Sequence, residues 1–288
     1  MRYRYELSTR RWNRIGRLLP DAAHHGGRGR PWSPHRRMIN GILWILHTGA
    51  PWRDLPERYG PWQTVYTRFR RWRQDGTWAK LLTHLVDHLE KHGRLGHRLW
   101  CVDGTIIRAS RAAGGAEKQP TAPPLLGGPK MAQVAEPSDH ALGYSRGGFG
   151  TKVHLLVEEH GRIVGIHVTP GQQHESKAFV PLMHHVLLPL RRGQPYWPRK
   201  MAGDRGYSYP GVRLWLQRHG IQPVIPTRKN QPPEKTFEKT TYRKRNIVER
   251  VVGWYKECRR LGTRYEKLAV NVVAFWTIAM IDKYLRLG

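Results

Sequence analysis

The chain has 288 residues, enough for one large domain or two smaller ones with a substantial core. Its 50 Lys and Arg residues against 21 Asp and Glu residues give a formal net charge of +29. This excess argues against an enzyme of small metabolites and favours a nucleic-acid partner, whose phosphates repeat along each strand. An anionic membrane surface is the competing interpretation, but the 12 Trp and 12 Tyr residues are scattered and form no interfacial belt.

The first 98 residues predict a helical domain, with 20 basic and 7 acidic residues. Apolar side chains recur at helical spacing over 34–47, and a Gly/Pro stop follows at 48–51. We expect a short second helix over 54–59 and a third over 61–74. Three helices with short turns and a basic third member resemble a helix-turn-helix that binds DNA; a bundle with a solvated Arg-rich face is the alternative. The candidate DNA contacts on the third helix are Arg68, Arg70, Arg71 and Arg73.

From residue 99 onward the pattern changes to strands alternating with helices, which predicts an α/β domain over 99–288. Residues 99–103 form an apolar run ending in Asp-Gly, typical of a buried strand that enters a turn. The segment 111–148 is rich in Ala, Gly and Pro without an apolar period, so we predict a flexible insertion there. The remaining predicted elements are a hairpin over 152–168, helices over 176–190, 210–219, 242–256 and 269–287, and strands ending at 204 and 225.

The sequence predicts neither a membrane-spanning helix nor a secretory signal peptide. The longest apolar stretches, 42–46 and 272–280, are far shorter than the ~20 residues of a membrane-spanning helix. The residues after Met1 lack the apolar segment of a secretory signal peptide. Cys101 and Cys258 lie in apolar surroundings, so we expect buried free thiols in a reducing cytoplasm and no disulfide.

Three carboxylates have the chemistry of a metal site. Asp103 closes the first predicted strand and Asp204 closes a later one, and open α/β sheets place their sites at this edge. Glu249 arrives on the predicted helix over 242–256. Together they can converge on a pair of hard divalent cations, which prefer oxygen ligands and can assist phosphodiester cleavage.

The helix over 242–256 also concentrates polar groups on one face. At about 100° per residue, four side chains fall within an arc of about 60°, and apolar residues cover the other side. One carboxylate between two cations and a phenol suits an anionic polymer together with a metal ion. The four residues are Tyr242, Arg245, Glu249 and Lys256.

Each of these residues also has a purely structural explanation. An Asp-Gly pair after a strand is more often a turn than a ligand, and the segment 204–206 allows the same interpretation. Glu249 paired with Arg245 one helical turn earlier would contribute only a few tenths of a kcal/mol. Their joint occurrence, in this order and in so basic a chain, favours a common site.

The spacing of these four helix residues matches the Y-x2-R-x3-E-x6-K signature of bacterial insertion-sequence transposases, which have a ribonuclease-H-like DDE catalytic domain. Further blocks resemble the same family in the same order, and the resemblance covers nearly the whole chain apart from 111–141. These blocks are Gly-Arg-Pro-Trp (29–32), Gly-Ala-Pro-Trp-Arg-Asp-Leu-Pro (49–56), Val-Asp-Gly-Thr (102–105), Ser-Arg-Gly-Gly-Phe-Gly-Thr-Lys-Val-His (145–154), Thr-Pro-Gly-Gln (169–172) and Gly-Asp-Arg-Gly-Tyr (203–207).

The resemblance implies that Asp103, Asp204 and Glu249 are a catalytic triad that binds two Mg²⁺ ions, for which Mn²⁺ would substitute. It implies hydrolytic cleavage at the ends of the element, followed by attack of the freed 3′-hydroxyl on target DNA. The partners would be terminal inverted repeats and target DNA, bound by a homodimer or larger oligomer. The location would be the bacterial cytoplasm, in association with the nucleoid.

The resemblance also assigns roles to five residues around the triad. Tyr242, Arg245 and Lys256 would hold or orient the DNA of the transposon end. His174 and Glu175 resemble a family block near the active site and would have an accessory role, although a loop with an exposed histidine is an equal alternative.

Two other functions fit the same residues. One is an inactive or domesticated relative that binds DNA ends without cutting them, against which the three intact carboxylates argue. The other is a general nuclease of the same fold, which would bind a terminal sequence no better than a random duplex.

Overall fold

The computed structural model describes residues 3–20, 32–114, 136–188, 190–191, 194–232 and 237–287. Its amino-terminal part is helical, as the sequence predicts. Two residues separate the third helix from the fourth, whereas a longer connection joins the second helix to the third. The helices of this part are α1 (Thr9–Ile15), α2 (His35–Thr48), α3 (Trp62–Gln74) and α4 (Thr77–Lys91).

The connection between α2 and α3 differs from the prediction. α2 ends at Thr48, and Gly49 caps it with a φ of 69°, in the left-handed region that glycine adopts without strain. The helix expected over 54–59 is replaced by two short 3-10 turns, Trp52–Asp54 and Glu57–Tyr59. Pro56 precedes the second turn and has no N–H to continue a helix, so the two turns stay separate.

The second part contains a mixed sheet with β1 at its centre. The strand order is β4-β3-β1-β7-β8, with β2 paired to β3 and β9 paired to β1. β3 runs antiparallel to β1 and β4, whereas β7 and β8 run parallel to β1. The strands are β1 (Leu99–Ala109), β2 (Gly143–Ser145), β3 (Gly148–Glu158), β4 (Ile163–Pro170), β5 (Leu190–Arg191), β6 (Gln194–Pro195), β7 (Lys200–Gly203), β8 (Gln222–Val224) and β9 (Thr263–Arg264).

Helices flank this mixed sheet, so the predicted α/β class is confirmed. α6 packs on β3 and β4, and α9 packs on β1 and β3. The helices of this part are α5 (Arg111–Gly114), α6 (Glu175–His184), α7 (Pro210–Arg218), α8 (Lys239–Arg243), α9 (Asn246–Lys256), α10 (Arg259–Gly262) and α11 (Ala269–Leu285).

The helix predicted over 242–256 is broken into two. Tyr242 lies in α8, Arg245 lies in the turn that follows, and Glu249 and Lys256 lie in α9. The Arg245 N–H donates to the Tyr242 carbonyl at 2.9 Å, a bond to the third residue back that winds the chain more tightly than an α-helix. The prediction of one continuous helix is therefore wrong, but the tighter turn keeps residues three positions apart on one side, and the Arg245 guanidinium carbon lies 5.8 Å from the centre of the Tyr242 ring.

One hydrophobic core joins the two parts of the molecule. α11 is buried along almost its whole length and packs against α4 and α2, and α10 also packs against α2. The Phe69 ring of α3 stacks on Phe275 of α11 with 4.8 Å between centroids, and Trp52 lies 6.2 Å from the same ring. The domain boundary near residue 98 remains a prediction, and apolar packing is continuous across it.

The predicted insertion over 111–148 is folded at its described ends. α5 forms at one end, and at the other a turn from Glu136 leads into β2. The Glu136 carboxylate accepts hydrogen bonds from the N–H groups of Ala269 (2.8 Å) and Val270 (2.9 Å). These donors lie in the first turn of α11, where N–H groups have no acceptor within the helix. Residues 115–135 lie outside the described residues.

Two further expectations concern membranes and thiols. Within the part of the chain that the structure describes, no helix combines the length and the apolar character needed to cross a bilayer. Cys101 and Cys258 are both buried and free, as predicted. Burial raises the pKa of each thiol to about 12, so both are uncharged near neutral pH.

Two histidines paired on neighbouring strands, buried His154 and half-buried His167, predict that the fold loses stability in mild acid. Burial lowers the pKa of His154 from 6.5 to about 3 and that of His167 to about 4. As pH falls below 6.5, both histidines therefore become protonated in the unfolded chain before they become protonated in the folded chain. The contribution of the two neutral histidines to the free energy of unfolding is fully present above pH 6.5. It should decrease toward pH 4 by up to roughly 1.4 kcal/mol per pH unit for each histidine.

Urea unfolding at a series of pH values measures this dependence. We expect a His154→Gln variant to show a shallower dependence between pH 6.5 and 4 than the native chain. His84→Gln is the matched control, because His84 is exposed on α4. Equal slopes for the native chain and the His154 variant would contradict the prediction.

Candidate active site

Asp103 and Asp204 lie side by side on neighbouring parallel strands. Val102 of β1 is in register with Gly203 of β7, and each aspartate is the next residue along its strand direction. Asp204 follows the last residue of β7, as predicted. Asp103 does not close its strand, since β1 continues to Ala109 through pairing with β3. The sheet therefore places both carboxylates at one level, although only one stands at a strand end.

The two aspartates have different hydrogen-bond partners. Asp103 Oδ1 accepts from the Gly104 N–H at 2.8 Å, and Asp103 Oδ2 accepts from Arg245 Nη1 at 2.9 Å. Asp204 Oδ1 accepts from the Gly206 N–H at 2.9 Å. Burial raises the pKa of Asp103, and burial followed by the charge of Glu175 raises the pKa of Asp204. Both carboxylates are therefore held where an added positive charge would be favourable.

Arg245 connects the third carboxylate to the first. Its Nη2 donates to Glu249 Oε1 at 2.5 Å, while its Nη1 contacts Asp103. The Glu249 side chain is 51% exposed, whereas that of Arg245 is only 16% exposed. The guanidinium group thus lies between two members of the predicted triad.

This arrangement bears on whether the triad fits a metal ion. Among the described residues, no three His, Cys, Asp or Glu side chains are grouped so that they could ligate one ion. The donor set is nevertheless all-carboxylate, which is the chemistry that Mg²⁺ and Mn²⁺ prefer. Asp103, Asp204 and Glu249 fit such ions if Arg245 releases Glu249, which is half-exposed and carried by a helix beside the sheet.

The other two signature residues, Tyr242 and Lys256, have different surroundings. The ring of Tyr242 is half-buried, 5.4 Å from that of Phe237 and 5.8 Å from the Arg245 guanidinium carbon. Lys256 Nζ donates to the carbonyl of Ile106 on β1 at 3.2 Å, and burial lowers the pKa of this lysine. Lys256 therefore fastens the end of α9 to the strand that carries Asp103.

His174 and Glu175 begin α6 close to Asp204. His174 Nδ1 accepts from the Ser176 N–H at 3.2 Å and caps this helix, and His174 Nε2 lies 3.3 Å from the hydroxyl of Tyr209. Glu175 Oε1 lies 3.2 Å from Lys152 Nζ on β3. The loop alternative does not describe this segment, because both side chains have defined protein partners.

The four arginines predicted as DNA contacts on α3 are not equivalent. Arg68 is only 6% exposed, lies 3.9 Å from the Trp32 ring centre and is 2.7 Å from His35 Nδ1. A guanidinium buried this far supports the fold of the amino-terminal part and does not face a partner, so we withdraw it as a candidate contact. Arg70 and Arg71 are exposed and Arg73 is half-buried.

The sequence did not single out two residues that the structure brings to the site. Lys152 forms an ion pair with Glu175. Tyr207 is fully buried, and its pKa is raised by burial and by the charges of Asp103, Glu175 and Asp204. Both occur in blocks that the family resemblance had marked, 145–154 and 203–207. Their proximity to the aspartates depends on strand register, which the blocks alone do not specify.

Two family models match the chain. The model described as "Transposase DDE domain" matches residues 94–281, and the one described as "Putative transposase of IS4/5 family" matches residues 7–82. The first of these spans more than half of the chain.

The chain is also similar to two relatives and to one solved structure. "Uncharacterized protein y4sN" of Sinorhizobium fredii is 32% identical over 39% of this chain and 83% of its own length. "Insertion element IS402 uncharacterized 16.2 kDa protein" of Burkholderia cepacia is 30% identical over 44% of this chain and 87% of its own. A chain of the Mos1 pre-cleavage transpososome is similar to this chain at 14% identity, over 93% of this chain and 82% of its own length. The TM-score of 0.26 is too low for this likeness to support an argument.

Proposed function

Because the chain belongs to the family of transposases with a DDE domain, we propose that it binds the ends of an insertion sequence and cleaves phosphodiester bonds there. The freed 3′-hydroxyl ends would then be joined to target DNA. The observation that carries the proposal is the pairing of Asp103 and Asp204 on adjacent strands, with Glu249 linked to Asp103 through Arg245.

The proposed chemistry needs three carboxylates and one mobile guanidinium. Asp103, Asp204 and Glu249 would hold two Mg²⁺ or Mn²⁺ ions, which would activate the attacking oxygen and stabilise the leaving one. Arg245 forms ion pairs with two of the carboxylates, Asp103 and Glu249, and its one positive charge offsets half of their combined charge. It would then exchange them for a phosphate, whose oxygens suit the planar donor geometry of arginine equally well.

The remaining basic residues would position the DNA. Tyr242 beside Arg245, and Lys256 at the other end of α9, would contact the DNA backbone. Exposed Arg70 and Arg71 of α3, with half-buried Arg73, would bind DNA farther away. A net charge of +29 supports this assignment. We further propose a bacterial, nucleoid-associated protein that acts as a homodimer or larger oligomer on paired DNA ends.

Binding to end-sequence DNA tests the function directly. The inverted repeats that flank the gene, used as a duplex, should bind on the order of a thousandfold more tightly than a random duplex at the same stated salt concentration. Equal affinities would favour a general nuclease and contradict the proposal. Specific binding without Mg²⁺-dependent cleavage of a donor plasmid would instead favour an inactive relative.

Two arginines of α3 should behave differently when replaced. Arg70→Ala should weaken binding to all duplexes alike and reduce the slope of log affinity against log salt by about 1, as expected for one lost phosphate contact. Arg68→Ala should chiefly lower the unfolding temperature, since it removes a buried contact beneath Trp32. An unchanged salt slope for the Arg70 variant would remove α3 from the proposed DNA surface.

A further inference from the structure

A cavity of about 460 Å³ opens where the first residues of the chain meet the ends of α2, α9 and α11. Sites for small ligands enclose roughly 300–1,000 Å³, so one nucleotide fits here, whereas a double helix is far too wide to enter. The described residues that line this cavity include neither the three carboxylates of the cleavage site nor the arginines of α3. We call it the terminal pocket, because residues from 3–6 and from the end of α11 line it.

The terminal pocket lies on a different side of α9 from the third carboxylate. Trp254, which lines the pocket, follows Glu249 by five residues on this helix. At 1.5 Å and 100° per residue, five residues correspond to about 7.5 Å along the helix axis and about 140° around it. The pocket is therefore a separate site that lies close to the proposed cleavage site.

Two aromatic side chains stand exposed at this pocket. Trp254 is 45% exposed and Tyr3 is 50% exposed. Tryptophan is highly buried in most proteins, so a tryptophan that stands open beside a cavity offers a surface for a planar ligand. Every nucleic-acid base has such a planar face, and stacking on an aromatic side chain contributes about 1–3 kcal/mol per base.

Basic side chains outnumber acidic ones in the lining. Lys283 forms no ion pair with a described carboxylate, and its Nζ lies 6.0 Å from the centre of the Tyr255 ring. Arg4 likewise has no described carboxylate as a partner, and its guanidinium carbon lies 4.9 Å from the centre of the Tyr5 ring. Both cations are therefore available to a phosphate. The charged lining residues are Arg4, Arg11, Lys283 and Arg286 against Glu6 and Glu257.

The floor of the pocket has its polar groups paired within the protein. The Tyr5 and His47 rings stack, with 4.4 Å between centroids and 10° between planes. His47 Nε2 lies 3.3 Å from Asp282 Oδ2, and His47 Nδ1 lies 3.4 Å from Cys258 Sγ. Arg286 forms an ion pair with Asp282 at 2.6 Å. Because these groups already have partners, the exposed rings and the two cations without carboxylate partners are what the pocket offers to a ligand.

We propose that the terminal pocket binds one unpaired nucleotide, with its base against Trp254 and its phosphate against Lys283 and Arg4. Aromatic faces beside cations are the features that bind single-stranded nucleic acid, whereas a double helix keeps the faces of its bases stacked inside. A nucleotide within a DNA strand and a free nucleotide share this chemistry. The choice of a DNA strand as the source rests on the function proposed above.

Binding of a short single strand to the full-length protein tests this site without cleavage. A fluorescein-labelled oligothymidylate is titrated with protein in the absence of divalent metal ions, and binding is followed by fluorescence anisotropy. A blunt duplex of random sequence is measured in parallel at the same salt concentration. Trp254→Ala should weaken binding of the single strand about tenfold and leave the affinity for the blunt duplex unchanged.

The phosphate contact has its own variant and controls. Lys283→Gln should weaken binding of the single strand and reduce the slope of log affinity against log salt by about 0.7, as expected for one lost phosphate contact. Tyr196→Ala and Lys80→Gln are the matched controls, because both residues are exposed outside the pocket, and each should bind as the native chain does. Thermal unfolding confirms that each variant is folded, and Arg4→Gln, which alters an exposed side chain, replaces a variant that is not.

Two further probes identify the ligand. An abasic strand of the same length should bind the native chain more weakly than the oligothymidylate, and equal affinities would overturn the inference, because the pocket would then recognise phosphate alone. Displacement of the labelled strand by thymidine monophosphate, at the same concentration of nucleotide, would assign the pocket to free nucleotides. Displacement by unlabelled oligothymidylate alone would assign it to a DNA strand.

Failure of this inference is distinguishable from failure of the proposed function. If the Trp254 and Lys283 variants bind the single strand as tightly as the native chain, the pocket takes no nucleotide, whatever the affinity for the end-sequence duplex. If the native chain does not prefer the end-sequence duplex, the proposed function fails, while the losses in these two variants still report a nucleotide in the pocket.

Discussion

Asp204→Asn is expected to reduce cleavage at the DNA end by roughly a thousandfold or more. Asparagine keeps the size of the side chain and can still accept the Gly206 N–H, but it lacks the charge that attracts a divalent cation. Metal ions contribute several kcal/mol to the stabilisation of a phosphoryl transition state, and each 1.36 kcal/mol corresponds to a tenfold change in rate. Asp103→Asn should have an effect of the same order.

Cleavage of a donor plasmid in Mg²⁺, with binding to the end duplex measured in parallel, tests this prediction. Binding should be retained, because removal of a negative charge lowers repulsion toward phosphate. Asp54→Asn is the control, since Asp54 is exposed in the turn between α2 and α3. Native cleavage rates for the Asp204 variant would show that this strand end is not the active site.

Glu158→Ala is expected to destabilise the fold by about 3–5 kcal/mol, the usual cost of breaking a buried charged network. Glu158 is completely buried at the end of β3 and accepts the N–H groups of Gly96 (2.8 Å) and Arg162 (3.0 Å). The Arg162 guanidinium and His160 also contact its carboxylate. Alanine would leave all of these donors without an acceptor.

The neighbouring residue provides a matched control. Glu159 pairs with Arg98 at 3.3 Å, but the arginine side chain is 79% exposed, so Glu159→Ala should cost less than about 1 kcal/mol. Chemical denaturation of both variants at neutral pH measures the difference. Equal losses would mean that the buried network around Glu158 contributes no more than a surface ion pair.

Much of the sheet could be predicted because its determinants are local. The apolar run at 99–103 became part of β1, and the hairpin over 152–168 became β3 and β4 joined by a tight turn at Gly161, whose φ is 84°. The prediction placed Asp103 at the end of its strand because Asp-Gly commonly forms a turn. β1 continues instead because β3 supplies hydrogen-bond partners as far as Arg108.

The errors arose where tertiary contacts override local patterns. Arg68 has the sequence context of its exposed neighbours, but Trp32 and His35 from distant positions cover it. The segment around Glu136 lacks an apolar period, yet it is ordered because its carboxylate caps a helix more than 130 positions later in the chain. The approach of Glu175 to Asp204 depends on how α6 packs on β3, β4 and the turn Arg205–Tyr207 that follows β7, which no motif specifies.

The burial of α11 on nearly all sides has a practical consequence. A fragment that begins at residue 99 would leave the faces of Phe275 and its neighbours, now covered by α2, α3 and α4, open to water. Such a fragment should aggregate on expression, because a large apolar face would be open to solvent. Among the described residues, the proposed DNA contacts of α3 and the proposed cleavage site rest on one continuous core, so a load applied at one would be transmitted to the other through packed side chains.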